Sequence, residues 1–149
     1  MSGTGKSTAL AELRRRGFDV VDTDEPGWSE WSDDKGGYVW REDRMAELLE
    51  QEGGVTLYVS GTVSNQGRFY PRFDAVVLLS APADELLRRI DRRTTNDYGK
   101  STDDRELVLS HVEEVEPLLR ATCTHELDAT QPLDDVVAAL IAIGGCTDR

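Results

Sequence analysis

Apolar residues recur along this chain with two spacings, and the switches between them outline its elements. From Thr4 to Arg16, Ala9, Leu10 and Leu13 fall on one helical face, and Arg14, Arg15 and Arg16 put positive charge in the last turn. Gly17 stops this helix, and Phe18, Val20 and Val21 suit a short buried strand that Pro26-Gly27 ends. Residues 27–40 hold Trp28, Trp31 and Trp40 at spacings that fit neither period, which predicts a loop or irregular cap. Met45, Leu48 and Leu49 face inward on a helix over 41–51, and "VTLYVSG" over 55–61 is a strand. "SNQGRFYPRF" reads as a polar, aromatic connection. "DAVVLLSAP" carries a continuous apolar run, the pattern of a strand covered on both faces. A helix then runs from Pro82 to about Arg93 on Leu86, Leu87 and Ile90.

The polar stretch 94–104 predicts a flexible loop. Leu107, Val108, Val112, Val115, Leu118 and Leu119 predict one helix over 106–120. "THELDAT" holds a short last strand. Pro132 opens a final helix with Asp134 and Asp135 in its first turn and Val136, Val137, Leu140 and Ile141 inward. Helices alternating with short strands predict an α/β fold with a mostly parallel sheet. The 149 residues fit a single domain, 1–149.

Composition narrows the function classes. A net charge of −12 repels phosphate backbones and argues against nucleic acid as a partner, although it also serves solubility. Cys123 and Cys146 make no disulfide framework in a chain of this length, and His111 and His125 stand isolated. No apolar run reaches membrane-spanning length and no signal peptide follows Met1, so the expectation is a cytoplasmic protein without a membrane partner.

Against this acidic background, "MSGTGKSTAL" matches the end of the phosphate-loop pattern G-x-x-x-x-G-K-[ST]. Backbone N–H groups of Gly3, Thr4, Gly5 and Thr8 would turn toward phosphates, Lys6 would reach the terminal phosphates, and the Ser7 hydroxyl would ligate Mg²⁺. The first Gly of the pattern would precede Met1, and no strand leads into the loop. The expectation is therefore that the natural protein starts upstream and that Met1 is an interior residue. A Gly/Ser-rich terminus without a ligand is the plainer reading of the same residues.

Three further groups carry possible chemistry. Asp22 and Asp24 sit at the carboxyl end of a strand, where parallel sheets place ligands; they suit a metal's water shell and a proton acceptor, or merely an acidic turn. Arg88, Arg89, Arg92 and Arg93 share one helix and suit a clamp on a transferred phosphoryl group, or ion pairs with Asp84, Glu85 and Asp91. Gln66, Arg68 and Arg72, with Phe69 and Tyr70 between them, suit an acceptor site or an ordinary surface loop. The three tryptophans with Arg41 and Arg44 suit a cap over the same pocket, and Trp40 suits the core equally well.

These residues resemble small P-loop kinases of the nucleoside monophosphate kinase and shikimate kinase type. The resemblance rests on "SGTGKST", on "VVDTD" and on "LLRRIDRR". It implies a P-loop NTPase three-layer sandwich with parallel strand order 2-3-1-4-5, here lacking the first, central strand. It implies Asp22 near the metal and Asp24 at the acceptor hydroxyl. It gives Arg89 to the nucleotide base and phosphates and Arg93 to the transferred phosphate. Residues 27–51 would cap the acceptor and 94–104 would form a lid that excludes water. "LDATQPLDDVV" resembles the last strand and helix of these kinases, whose connecting backbone lies against adenine.

The implied activity is transfer of the γ-phosphate of ATP, with Mg²⁺, to a small-molecule acceptor by a monomer or homodimer. Lys6, Asp24, Arg89 and Arg93 would be catalytic. Asp24, Arg41, Gln66, Arg68 and Arg72 would face the acceptor, which is either a nucleotide or a hydroxylated metabolite. "SGTVSNQG" matches neither the G-G-G of shikimate kinases nor the G-x-P-R of adenylate kinases, so the acceptor stays open. An ATP-binding module without transfer activity and a simple nucleotide hydrolase remain the alternatives.

Overall fold

The computed structural model describes residues 5–50, 56–92 and 102–146. Its elements in chain order are α1 (Lys6–Arg15), β1 (Asp19–Asp22), β2 (Ser29–Ser32), β3 (Gly37–Trp40), α2 (Glu42–Glu50) and β4 (Leu57–Ser60). A 3₁₀ helix (Gln66–Arg72) follows, then β5 (Val77–Ser80), α3 (Ala83–Arg92), α4 (Thr102–Glu114), α5 (Glu116–Thr122), β6 (His125–Asp128) and α6 (Leu133–Cys146).

The strands form three separate two-stranded sheets. β1 pairs in parallel with β4, from Asp19 opposite Leu57 to Asp22 opposite Ser60. β5 pairs in parallel with β6, from Val77 opposite His125 to Ser80 opposite Asp128. Parallel neighbours need long crossovers, supplied by the segment holding α2 in the first case and by α3 to α5 in the second. In the order 2-3-1-4-5 these two pairs are the neighbours 2-3 and 4-5. No strand among the described residues joins one pair to the other.

The residues gather into two compact bodies, Ser7–Asp74 with the end of α6 from Ala142, and Ala75–Ile141 with Lys6. The first is built around Trp40, Met45, Leu48 and Phe69, with Val21, Trp28, Leu57, Val59 and Val63 packed against them. Ala9, Leu10 and Leu13 are the buried face of α1, as the helical spacing predicted. The second buries Leu78 and Leu79 of β5, Leu86 of α3, and Val136, Val137 and Leu140 of α6. Full burial of a side chain such as Leu13, Met45 or Leu86 contributes about 1.5–3 kcal/mol.

Three elements depart from the pattern-based expectation. Residues 27–40 are not irregular: β2 and β3 make an antiparallel hairpin, from Ser29 opposite Trp40 to Ser32 opposite Gly37. The pairing sets Trp31 opposite Tyr38, ring edge to ring face at 5.5 Å, a cross-strand contact that no local periodicity announces. The helix predicted over 106–120 is two helices, and it starts earlier, at Thr102. The break falls at Val115–Glu116 because Pro117 has no N–H for a continuous ladder but is favoured in a first turn. The connection after β4 coils into the 3₁₀ helix and buries Phe69. Within the expected lid, 102–104 belong to α4 and 94–101 lie outside the described residues. No described helix is long and apolar enough to cross a membrane.

Candidate functional site

Ser7, from the phosphate-loop motif, meets the acidic strand end through a side-chain hydrogen bond. Gly5 has φ +87°, the left-handed backbone that glycine adopts without strain, and Lys6 opens α1 directly after it. Gly3 and Thr4 lie outside the described residues. Ser7 and Thr8 occupy the first turn of α1 and are exposed, where unpaired N–H groups and the helix dipole favour an anion.

The Ser7 hydroxyl donates to Asp22 Oδ2 at 2.8 Å. The backbone N–H of Asp24 donates to the other oxygen, Asp22 Oδ1, at 3.0 Å. Asp22 therefore ties the first turn of α1 to the turn that follows β1. A serine hydroxyl and a carboxylate this close are hard oxygen donors of the kind Mg²⁺ takes alongside phosphate oxygens and water. Among the described residues no cluster of three His, Cys, Asp or Glu side chains forms a metal cage. The Asp24 carboxylate is exposed and has no hydrogen-bond or ion-pair partner among the described residues.

Behind this turn lies a buried polar network. Thr23, between the two acids, is 1% exposed. Its N–H and its hydroxyl both donate to the carbonyl of Ser60, at 3.0 and 2.7 Å. Its Oγ1 accepts the indole N–H of Trp40 at 2.9 Å. The backbone of Trp40 is gripped by Asn65: Trp40 N–H donates to Oδ1 at 2.9 Å, and Nδ2 donates to the Trp40 carbonyl at 3.0 Å. Gly61 passes so close that an added Cβ would meet Thr23 Oγ1 at 2.0 Å. Sequence reasoning missed Thr23 and Asn65, and it left Trp40 undecided between core and cap. The available signal was a threonine flanked by acids beside an otherwise unexplained tryptophan.

The other residues expected at the acceptor lie on the same body. Arg41 pairs with Asp43 at 3.3 Å, and Arg68 pairs with Glu42. Arg44 stacks 4.6 Å from the Trp28 ring centre and donates to the Gly27 carbonyl. Gln66 accepts from Val63 N–H at 2.8 Å and donates to the Tyr70 hydroxyl, so its amide braces the 3₁₀ helix. Arg72 ends that helix.

Arg89 belongs to the second body. It donates to Glu85 at 3.1 Å and to the carbonyl of Ala129 at 2.5 Å. Ala129 lies in the turn between β6 and α6. That turn is shaped by Asp128, whose carboxylate accepts from the N–H and hydroxyl of Thr130. Those two bonds, with a smaller contribution from Arg89, hold the Asp128 carboxyl below its ordinary range. Arg89 is thus joined to the turn that the kinase resemblance gives to adenine. Arg88 instead pairs with Asp84 and Glu85, as an exposed helix face does. Arg93 lies outside the described residues.

Residues 1–114 match the family described as an AAA domain. The chain belongs to this family. The AAA domain is similar to shikimate kinase 2 of Sodalis glossinidius (strain morsitans), 29% identical over 154 residues that cover 93% of this chain and 88% of that protein. A crystal structure of TT1252 from Thermus thermophilus shares its fold, with a TM-score of 0.59 at 21% identity, covering 95% of this chain and 91% of the other. The α/β P-loop architecture and the likeness to small P-loop kinases therefore stand together.

Proposed function

We propose that this AAA domain transfers the γ-phosphate of ATP to a hydroxyl group of a small molecule. The observation that carries the reading is the chain of contacts from Ser7 through Asp22 to Asp24, whose carboxylate has no partner among the described residues. Lys6 and the loop amides would hold the β- and γ-phosphates. Ser7 and Asp22 would hold Mg²⁺, which when bound neutralises phosphate charge. Asp24 orients the acceptor hydroxyl and takes its proton as the acceptor oxygen bonds to the γ-phosphorus and the bond to the ADP oxygen breaks. Catalysis is then mainly positioning and charge stabilisation.

The acceptor-side cations favour a hydroxyl over a phosphate acceptor. A nucleotide acceptor would need Arg41, Arg68 or Arg72 as anion clamps. Arg41 and Arg68 already carry carboxylate partners, Asp43 and Glu42, which leaves Arg72 alone of the three for an anion, whereas the Asp24 carboxylate carries no partner among the described residues. We propose a cytoplasmic enzyme, monomeric or homodimeric, that acts on neither nucleic acid nor membrane.

A panel of hydroxylated metabolites and nucleoside monophosphates incubated with γ-labelled ATP tests the reading. Label should pass to a hydroxyl compound and not to a nucleotide. Asp24→Asn should slow that transfer by about a hundredfold or more and leave ATP affinity unchanged. Lys6→Ala should abolish nucleotide binding or turnover. ATP loss that no acceptor accelerates would instead make the protein a hydrolase, and binding without turnover a nucleotide-binding module.

A further inference from the structure

Three buried residues on three different segments each immediately precede a residue expected at the acceptor, exposed at Asp24 and half-buried at Arg41 and Gln66. Thr23 precedes Asp24 at the end of β1, Trp40 precedes Arg41 at the end of β3, and Asn65 precedes Gln66 at the start of the 3₁₀ helix. The three are joined to one another: Trp40 donates its indole N–H to Thr23, and Asn65 holds both backbone groups of Trp40. We propose that Thr23, Trp40 and Asn65 act as one positioning unit that fixes Asp24, Arg41 and Gln66 relative to Ser7 and the Asp22 carboxylate it binds. This rests on the phosphotransfer reading above and adds to it the residues that set the geometry.

The arrangement suits that task for physical reasons. The segments come from positions 17 and 25 residues apart, so nothing local keeps them in register. A network buried away from water exchanges its bonds with no competitor, so its members keep one geometry. Thr23 spends its hydroxyl fully: it donates to Ser60 and accepts from Trp40. Its main chain is also pinned from the other side, where the Ser29 hydroxyl donates to the Thr23 carbonyl at 3.3 Å. The Arg41 N–H donates to the Trp28 carbonyl at 2.8 Å, which closes the base of the hairpin against the same turn. The exposed acid then has little freedom except at its own side chain. A catalytic group displaced by about 1 Å can lose about a hundredfold in rate, so holding this turn matters more than holding a surface loop.

Thr23→Val keeps the shape and removes the hydroxyl, and Thr23→Ser restores it. Trp40→Phe, which keeps a smaller ring against Phe69, removes the indole donor and serves if Thr23→Val does not fold. The measurements are affinity for Mg²⁺ with a non-hydrolysable ATP analogue, the rate of phosphate release from Mg²⁺–ATP with water as acceptor, and the three indole N–H signals in a nitrogen-15 spectrum. Trp40→Phe assigns the Trp40 signal.

The expected result for Thr23→Val is analogue affinity within about twofold of wild type, phosphate release slowed about tenfold or more, and a shifted Trp40 signal, with Thr23→Ser close to wild type in all three. Unchanged phosphate release in a folded Thr23→Val or Trp40→Phe protein overturns the proposal. So does a rate loss matched by an equal loss of analogue affinity, or one that Thr23→Ser fails to rescue. Wild type that binds no analogue would sink the phosphotransfer reading itself. The Trp40 signal would still report whether the unit exists, and an unshifted signal in Thr23→Val would overturn it.

Discussion

At Gly61 the fold depends on the absence of a side chain. A Cβ there would lie 2.0 Å from Thr23 Oγ1 and 3.2 Å from Trp40 Nε1, inside the hydrogen bond those two groups make. Neither neighbour is the free end of a flexible chain, since Thr23 and Trp40 are both buried. Gly61→Ala should therefore destabilise the protein by about 1–3 kcal/mol, read as a lower urea midpoint with unchanged slope. An unchanged midpoint would mean that the turn yields. The cost of losing the Thr23 hydroxyl is of the same order, because the Trp40 N–H would be left buried without a partner, at about 1–3 kcal/mol. Lys6, Ser7, Asp22 and Asp24 stood out as candidates for chemistry from residue type and spacing. Thr23 and Asn65 were not, because a buried threonine or asparagine has no signature until its partners are known.

The hairpin of β2 and β3 shows what pattern reading misses at the level of elements. Its Trp31 and Tyr38 are 57% and 64% exposed, so they leave no inward-facing period, and their worth lies in touching each other. A double-mutant cycle on Trp31→Ala and Tyr38→Ala should give a coupling of about 0.5–1 kcal/mol. Zero coupling would show that the rings stack without holding the strands. The helices were easier. α1 buries the residues its spacing named, and α2 buries Met45 and Leu48 and half-buries Leu49, because a helical face is set by neighbours three and four positions apart. The division of α4 from α5 was written in Pro117, which the apolar rhythm of the segment masked.

For the molecule as a whole, the acid response gives a test independent of any substrate. Arg120 bridges Glu116 on α5 and Glu126 on β6, and the Ser80 hydroxyl at the end of β5 also donates to Glu126. The Arg120 guanidinium, and after it Ser80, hold the Glu126 carboxyl at about 2, below its ordinary 4.5. Folding then favours the ionised acid. Its contribution is complete above pH 4.5 and is lost as pH falls toward 2. Wild type should therefore lose stability over that window more steeply than Glu126→Gln, in urea unfolding followed at successive pH values. Equal slopes would mean that the bridge does not form. Glu12, held at about 2 by Arg15 at the end of α1 and Arg16 just after it, adds a response in the same window, which the comparison cancels.

What the chain determines by itself is whatever neighbouring residues can enforce. The glycine-lysine-serine turn opens a helix, the alternation of helix and strand carries the α/β class, and two acids close a strand. These follow from backbone preferences and periodicities that act over a few positions. Tertiary structure decided which strands pair, that residues 27–40 fold into a hairpin, and that Ser7 reaches Asp22 across 15 positions. It also decided that Thr23, Trp40 and Asn65 share one buried network. Hydrogen bonds between distant segments form only when burial excludes water and the topology brings their donors and acceptors together, and no local spacing records that meeting.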